Sequence, residues 1–307
     1  MSPAMRVRFW GVRGSIPCPG AETVKYGGNT PCLELRLDSG RLIIIDAGSG
    51  LRELGNHLMV HDLSKGPIQT EIFLSHTHWD HIMGLPFFTP SYIPGTRIKV
   101  FGPVSFEDQG LRDIVGGQFT YRYFPVRQTE LAATIEYFDL KEDHYDLGGG
   151  LVLSTKYLNH PILCLGYRFE YQGKVFCTAY DTEPFHNVFC TDVCDPDYDE
   201  AMAVEGEMVA KEENLRVEKF FSGADLLIHD TQYTMKEYAS SKTGWGHSPI
   251  EYAIAAAKRT KVKRMALFHH DPLRTDAQLD ELANTYCQNP EGETEVFIAK
   301  EGMEIEI

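Results

Sequence analysis

Short β-rich runs alternate with helical stretches along the whole chain. Met5–Trp10, Cys32–Leu37 and Arg41–Asp46 read as strands, and Asp38-Ser39-Gly40 supplies a hairpin turn between the last two. Thr70–Ser75 is an apolar strand that stops at His76, so the histidines that follow sit on a loop leaving a strand end. The strand series continues through Ile98–Phe101, Ile135–Phe138, Leu151–Leu158, Leu165–Glu170 and Lys174–Thr178. Leu226–His229 and Met265–His269 are short strands that end in histidine. Gly50–His57 and Met202–Leu215 read as helices, and Ile250–Lys258 and Asp276–Cys287 carry helical periodicity. His247-Ser248-Pro249 offers the first of these two a capping serine and a first-turn proline. Two mixed halves, each with sheet followed by helices, predict an α/β fold of four layers, an αββα sandwich. The expected organisation is one domain over 1–307. Residues 183–220, irregular and partly acidic, read as an insertion serving as a lid or a dimer contact.

Composition adds one constraint. With 44 acidic against 29 basic residues the formal net charge is −15. Nucleic-acid binding draws on a cationic surface and counterion release, so this balance argues against a polyanionic partner and towards a small anion. Local metal charge dominates inside a pocket, and salt screens the remainder beyond roughly 10 Å. The seven cysteines are irregularly spaced, which fits reduced thiols better than a disulfide framework. No stretch has the apolar length of a membrane span, and the start MSPAMRVRFW has no apolar signal core, so the expected compartment is the cytoplasm.

Chemistry concentrates in His76-Thr77-His78-Trp79-Asp80-His81. Three imidazoles and a carboxylate within six residues are costly to bury without a cation, because neutral partners cannot satisfy them all. In an extended loop, residues two apart point the same way, so His76 and His78 can share one ion. Asp80 and His81, where a helix begins, can reach a second.

This string resembles the HxHxDH signature of the metallo-β-lactamase superfamily, and the likeness extends over nearly the whole chain. It implies that His160, in Leu158-Asn159-His160-Pro161, completes the first ligand set, and that Asp181, in Ala179-Tyr180-Asp181-Thr182, bridges two ions. The last histidine of the pattern matches His269, with its neighbour His270 as the alternative. Nitrogen and oxygen donors without thiolate suit zinc first, with manganese or iron as alternatives. Two such ions ~3.5–4 Å apart can share a water and lower its pKa towards ~7, giving a bridging hydroxide that Asp80 would orient.

Two further segments bear on the bond that is broken. Leu227-Ile228-His229-Asp230-Thr231 and Trp245-Gly246-His247-Ser248-Pro249 resemble segments of the phosphodiesterase branch that includes ribonuclease Z. The resemblance casts His247 as a general acid for the leaving alkoxide and Asp230 as its orienting partner. Aspartate stands here where that branch has glutamate, a shorter arm. The basic, glycine-rich arm with which ribonuclease Z grips tRNA has no counterpart. Gly11-Val12-Arg13-Gly14-Ser15, Tyr26-Gly27-Gly28-Asn29-Thr30 and the strand Ile43–Asp46 with Gly48 are similar to a bacterial cyclic-nucleotide phosphodiesterase-like group. The expected activity is therefore hydrolysis of a small phosphodiester, a cyclic nucleotide in the first instance. A ribonuclease Z-like endoribonuclease is the alternative, followed by a lactam, lactone or thioester hydrolase and by a metal-binding sensor or scaffold. Homodimers are common in this branch, so a homodimer is a further expectation.

Arg13 and Asn29 read as turn formers, with phosphate contact as the lesser option. His186 is a candidate pocket residue near Asp181. Phe87, Phe88, Tyr92, Tyr121, Tyr123 and Phe185 can stack on a base, although such residues more often fill a core.

Overall fold

The computed structural model describes residues 3–103, 110–288 and 294–307. Fourteen strands form two seven-stranded sheets. The first holds β1 (Met5–Gly11), β2 (Cys32–Leu37), β3 (Leu42–Ile45), β4 (Gln69–Phe73), β5 (Arg97–Pro103) and β6 (Thr134–Leu140), with the last strand, β14 (Glu304–Glu306), beside β1. The second runs in the order β13-β12-β11-β10-β9-β8-β7. Its strands are β7 (His144–Asp146), β8 (Val152–Leu158), β9 (Cys164–Tyr171), β10 (Lys174–Ala179), β11 (Leu226–Asp230), β12 (Arg264–Phe268) and β13 (Glu295–Ile298). In each sheet four neighbouring strands are parallel: β3 to β6 in the first, β10 to β13 in the second.

Burial follows the pleat. In β1, Met5, Val7 and Phe9 are buried, while Arg6 is exposed and Arg8 and Trp10 are only partly covered. Central strands β3 and β11 are buried on both faces, as strands covered on both sides must be. One apolar layer lies between the sheets, where Phe9, Leu35, Ile45 and Phe73 meet Leu153, Tyr167, Phe169 and Phe268. Helices cover the outer faces. On the first sheet, α1 (Gly50–His61) sets Leu51, Leu54 and Leu58 against Ile44 and Ile72; α2 (Trp79–Ile82) and α3 (Leu111–Gly116) lie on the same side. The second sheet is covered by α4 (Glu200–Phe220), α6 (Ile250–Arg259) and α7 (Asp276–Tyr286), with the short α5 (Met235–Glu237) ahead of α6. The layers therefore run helix, sheet, sheet, helix, as the pattern predicts.

Three local expectations need correction. Helix α4 is longer than 202–215, because the Asp199 side chain caps it from Met202 N–H at 3.0 Å and buried Val217 and Glu218 hold its far end. Ser248 does not cap α6; its buried hydroxyl donates instead to the Thr182 carbonyl at 2.6 Å. Strand β12 stops at Phe268, and His269 takes a left-handed backbone with φ of 63°. Among the described residues no helix is long and apolar enough to cross a membrane.

Candidate metal centre

Every chemically suggestive side chain named from the ligand pattern lies on one edge, at the seam of the two sheets. His76–His81 leave β4 in the first sheet. His160 follows β8, Asp181 follows β10, Asp230 ends β11, His269 follows β12, and His247 precedes α6.

Two groups of donor atoms that draw on the histidine loop overlap at Asp181, and a third joins Asp181 and His269 to Asp230 and His247. His76, His78 and His160 form the first group with Asp181; Asp80, His81 and His269 form the second, with all donors of a group within 4.8 Å of one another. In the first group, His76 Nε2 and His160 Nε2 approach His78 Nδ1 at 3.0 and 3.1 Å. In the second, Asp80 Oδ2 lies 3.3 Å from both His81 Nε2 and His269 Nε2. Asp181 spans the two, with Oδ2 at 3.5 Å from His76 and 3.3 Å from His81, and Oδ1 at 3.2 Å from His269. Backbone strain accompanies function here: Asp46, Asp181 and His269 all have positive φ, at 59°, 41° and 63°.

The environment fits cations. Among the described residues, His81 Nε2 and Asp181 Oδ1 are buried and without a hydrogen-bond partner. Burial opposes charge on His81, yet Asp181, Asp80 and Asp46 together push its pKa well up, so the group calls for positive charge at that spot. Burial lowers the His160 ring to about 4, and His76 also lies far below its usual range, chiefly through burial. Both therefore stay neutral with a lone pair free, as a metal ligand must. The oxygen and nitrogen donor set suits a divalent ion.

Outer contacts aim the rings. His81 Nδ1 pairs with Asp46 Oδ2 at 2.8 Å, and Asp46 is itself held by Ser75 N–H at 2.7 Å and the Ser75 hydroxyl at 2.8 Å. The Ser75 hydroxyl also touches His76 Nδ1 at 3.0 Å, and His160 Nδ1 donates to the Gly246 carbonyl at 3.0 Å. Gly246 has φ of 80°, and a Cβ there would lie 2.4 Å from His160 Nδ1. Ser15 N–H donates to Asp80 Oδ2 at 2.8 Å. Asp46 and Ser15 stand in segments that carry the sequence resemblance but were given no role there; a carboxylate closing the apolar strand that neighbours the histidine strand was the available signal for Asp46.

His247 stacks on His269, with ring centroids 5.0 Å apart and planes 21° from parallel. Its Nδ1 meets Asp230 Oδ2 at 2.8 Å, so the shorter aspartate arm reaches because strand β11 delivers it directly. Burial works against the charged ring, but Asp230 outweighs it through charge and hydrogen bond, raising His247 to about 9. Glu183, buried and unremarked in the sequence, braces the loop before His247 by accepting from Gly244 N–H at 2.6 Å and Gly246 N–H at 2.8 Å.

Other candidates stand elsewhere. His270 turns away and meets the Ala299 carbonyl at 2.9 Å. His229 is buried against the Asp230 carbonyl, and His186 is half exposed, 3.9 Å from Glu183. Arg13 is fully buried, donating to the Gly27, Asp271 and Arg274 carbonyls at 2.9, 3.1 and 2.7 Å, so it is not placed to meet a phosphate. Asn29 is engaged with Glu301 and Ser49. Phe88 is core, Tyr92 bonds the Pro86 carbonyl and Phe185 packs under α4 and α6, whereas Phe87, Tyr121 and Tyr123 are exposed. All seven cysteines are free.

Residues 26–166 match the metallo-beta-lactamase superfamily. The chain is 29% identical over 297 residues to a ribonuclease Z of Lactococcus lactis, covering 86% of this chain and 88% of the relative. Its fold is shared with the short form of human tRNase Z, at a TM-score of 0.61 and 22% identity over 98% of this chain and 99% of that one. A diphosphatase of the PhnP family shares it too, at a TM-score of 0.60 and 17% identity over 99% and 98% of the two chains.

Proposed function

We propose that the chain is a metal-dependent hydrolase of the metallo-β-lactamase superfamily, in its phosphodiesterase and ribonuclease Z branch, and that it hydrolyses a small phosphodiester, a cyclic nucleotide first among candidates. The observation that carries this reading is the His247–Asp230 pair, 2.8 Å apart and stacked against the metal centre through His269. A thioester loses a thiolate, which needs little help from an acid; an alkoxide needs a proton.

His76, His78, His160 and Asp181 would hold one divalent ion and Asp80, His81, Asp181 and His269 a second, zinc being the best match to the donors. Bound there, such ions supply an activated solvent nucleophile and stabilise charge developing on the phosphoryl group. Asp80, fixed by Ser15 N–H, orients that nucleophile. Asp46 keeps His81 in register. Asp230 holds the His247 proton on the side of the ring facing away from the centre, leaving Nε2 to deliver the other proton to the departing oxygen. Charge supports a small substrate, since an excess of 15 acidic residues repels a polyanion. We read the chain as one domain, with residues 183–220 as an insertion whose Val217 joins the outer core of the second sheet.

Cleavage of RNA is the second reading, favoured by the ribonuclease Z relative. Two substrate panels decide. Cyclic nucleotides turned over by the metal-loaded protein, with structured RNA left intact at moderate salt, bear out the first reading; the reverse pattern overturns it. Replacing His247 with alanine should slow an unactivated alkyl phosphodiester by about 10²–10⁴-fold and a nitrophenyl diester far less. Equal losses would remove His247 from the acid role.

A further inference from the structure

Beside the ligand loop lies a cleft of about 720 Å³, whose lining includes Thr77, Trp79, Phe87, Arg122 and Tyr123. Thr77 and Trp79 belong to the same six-residue loop as His76, His78 and Asp80, so the cleft adjoins the ligand loop. Its rings are left in solvent to an unusual degree: Trp79 is 77% exposed, Tyr123 79% and Phe87 54%. Grouped exposed aromatics on an otherwise polar surface mark a place where something binds. The far wall is braced, since Phe87 packs edge-on against Phe124 at 5.3 Å, and Phe124 in turn against buried Phe119 at 6.1 Å.

Arg122 is the second observation. Neighbouring Arg127 lies over the Tyr121 ring at 4.4 Å and Arg112 over Tyr137 at 6.0 Å. Arg122 has no hydrogen bond, ion pair or ring contact among the described residues, in a chain with 44 carboxylates to offer one. An unpaired guanidinium lining the same cleft as exposed rings suits a flat heteroaromatic ring, which stacks on the rings and accepts hydrogen bonds at its edge. An alkyl chain would leave the guanidinium unsatisfied.

We infer that this cleft takes the nucleobase of a nucleotide whose phosphate sits at the metal centre, with the base stacked on Trp79 and Tyr123 and its edge met by Arg122. The inference rests on the phosphodiesterase reading for the position of the phosphate. Stacking of this kind strengthens binding by roughly tenfold to a hundredfold.

Titration calorimetry of the metal-loaded protein with adenosine 5′-monophosphate and with ribose 5-phosphate tests it, because the two ligands share the phosphate and sugar and differ in the base. The expected result is binding of the base-bearing ligand at least about tenfold tighter. Trp79→Ala and Tyr123→Ala should each erode that ratio, and Trp79→Phe, which keeps a ring, should retain much of it. Equal affinity in the wild type, or a ratio that survives Tyr123→Ala and Trp79→Ala, overturns the assignment. Should Trp79→Ala lose both ligands through damage to the ligand loop, Tyr123→Ala decides, since Tyr123 is far in sequence from every metal-ligand candidate. A preserved base preference in a protein that turns over no phosphodiester would overturn the catalytic reading and leave the cleft assignment standing. Diester turnover without base preference would do the opposite.

Discussion

His247 is charged in the resting site because Asp230 overcomes the burial of the ring. Asp181 and Asp80 support that charge too, and bound cations would neutralise both, so the loaded enzyme should lose the proton somewhat below the value of about 9. In the proposed acid role the protonated ring is the active form, so kcat on an alkyl diester should hold steady at lower pH and fall as pH rises through that region. Asp230→Asn removes the leading support and should move the fall to lower pH; an unshifted profile would separate the pair from catalysis. Asp46 acts one layer further out. Asp46→Ala should weaken metal affinity by about 10–100-fold, read by competition with a chelating dye, because Asp46 holds His81 Nδ1 at 2.8 Å, closer than the Ser75 hydroxyl at 3.3 Å. At this scale the loop from His76 to His81 was legible because its donors are adjacent in sequence. His160, Asp181 and His269 were legible only through resemblance, being separated by whole strands. Trp79 escaped notice since an apolar residue between ligands reads as core, and only the coordinates show it in solvent.

Strand ends and tight turns do the positioning one level up. Gly246 combines a left-handed backbone with a close approach to His160. Gly246→Ala should cost about 1–2 kcal/mol from backbone handedness alone. The added methyl would also press on His160, so metal affinity should fall together with the unfolding midpoint. An unchanged midpoint with intact metal binding would mean that the loop can shift freely. Most strands came through from the pattern, because period-two burial is a local property, but the short β7, β13 and β14 went unread. Helix ends came through less well. α1 extends to His61 through the spacing of Leu51, Leu54 and Leu58, and α4 passes 215 because Glu218 pairs with Arg259 at 2.6 Å, a contact invisible to local pattern. Ser248 fits a cap by spacing, but its hydroxyl is claimed by Thr182 across the site.

Over the whole molecule, His76, His78, Asp80 and His81 come from the first sheet and His160, Asp181 and His269 from the second, so bound ions would tie the halves together. Chelation should lower the thermal midpoint, by an amount near ~2.7 kcal/mol of stability where free metal stands at a hundredfold over its dissociation constant. A midpoint indifferent to chelator would mean that the ions bind weakly or elsewhere. The four-layer arrangement was visible from element order, whereas the aromatic cleft was not, since it joins Trp79 to Tyr123 across four intervening elements. Arg13 bears on what chelation leaves behind. From the N-terminal half it reaches the carbonyls of Asp271 and Arg274, just beyond His269, with a guanidinium that stays charged at every pH the protein will meet. That rivet does not depend on metal. The stripped protein should therefore keep its far-ultraviolet dichroism and regain activity within mixing time when metal is returned, whereas Arg13→Lys, lacking the planar fork, should recover slowly or only in part.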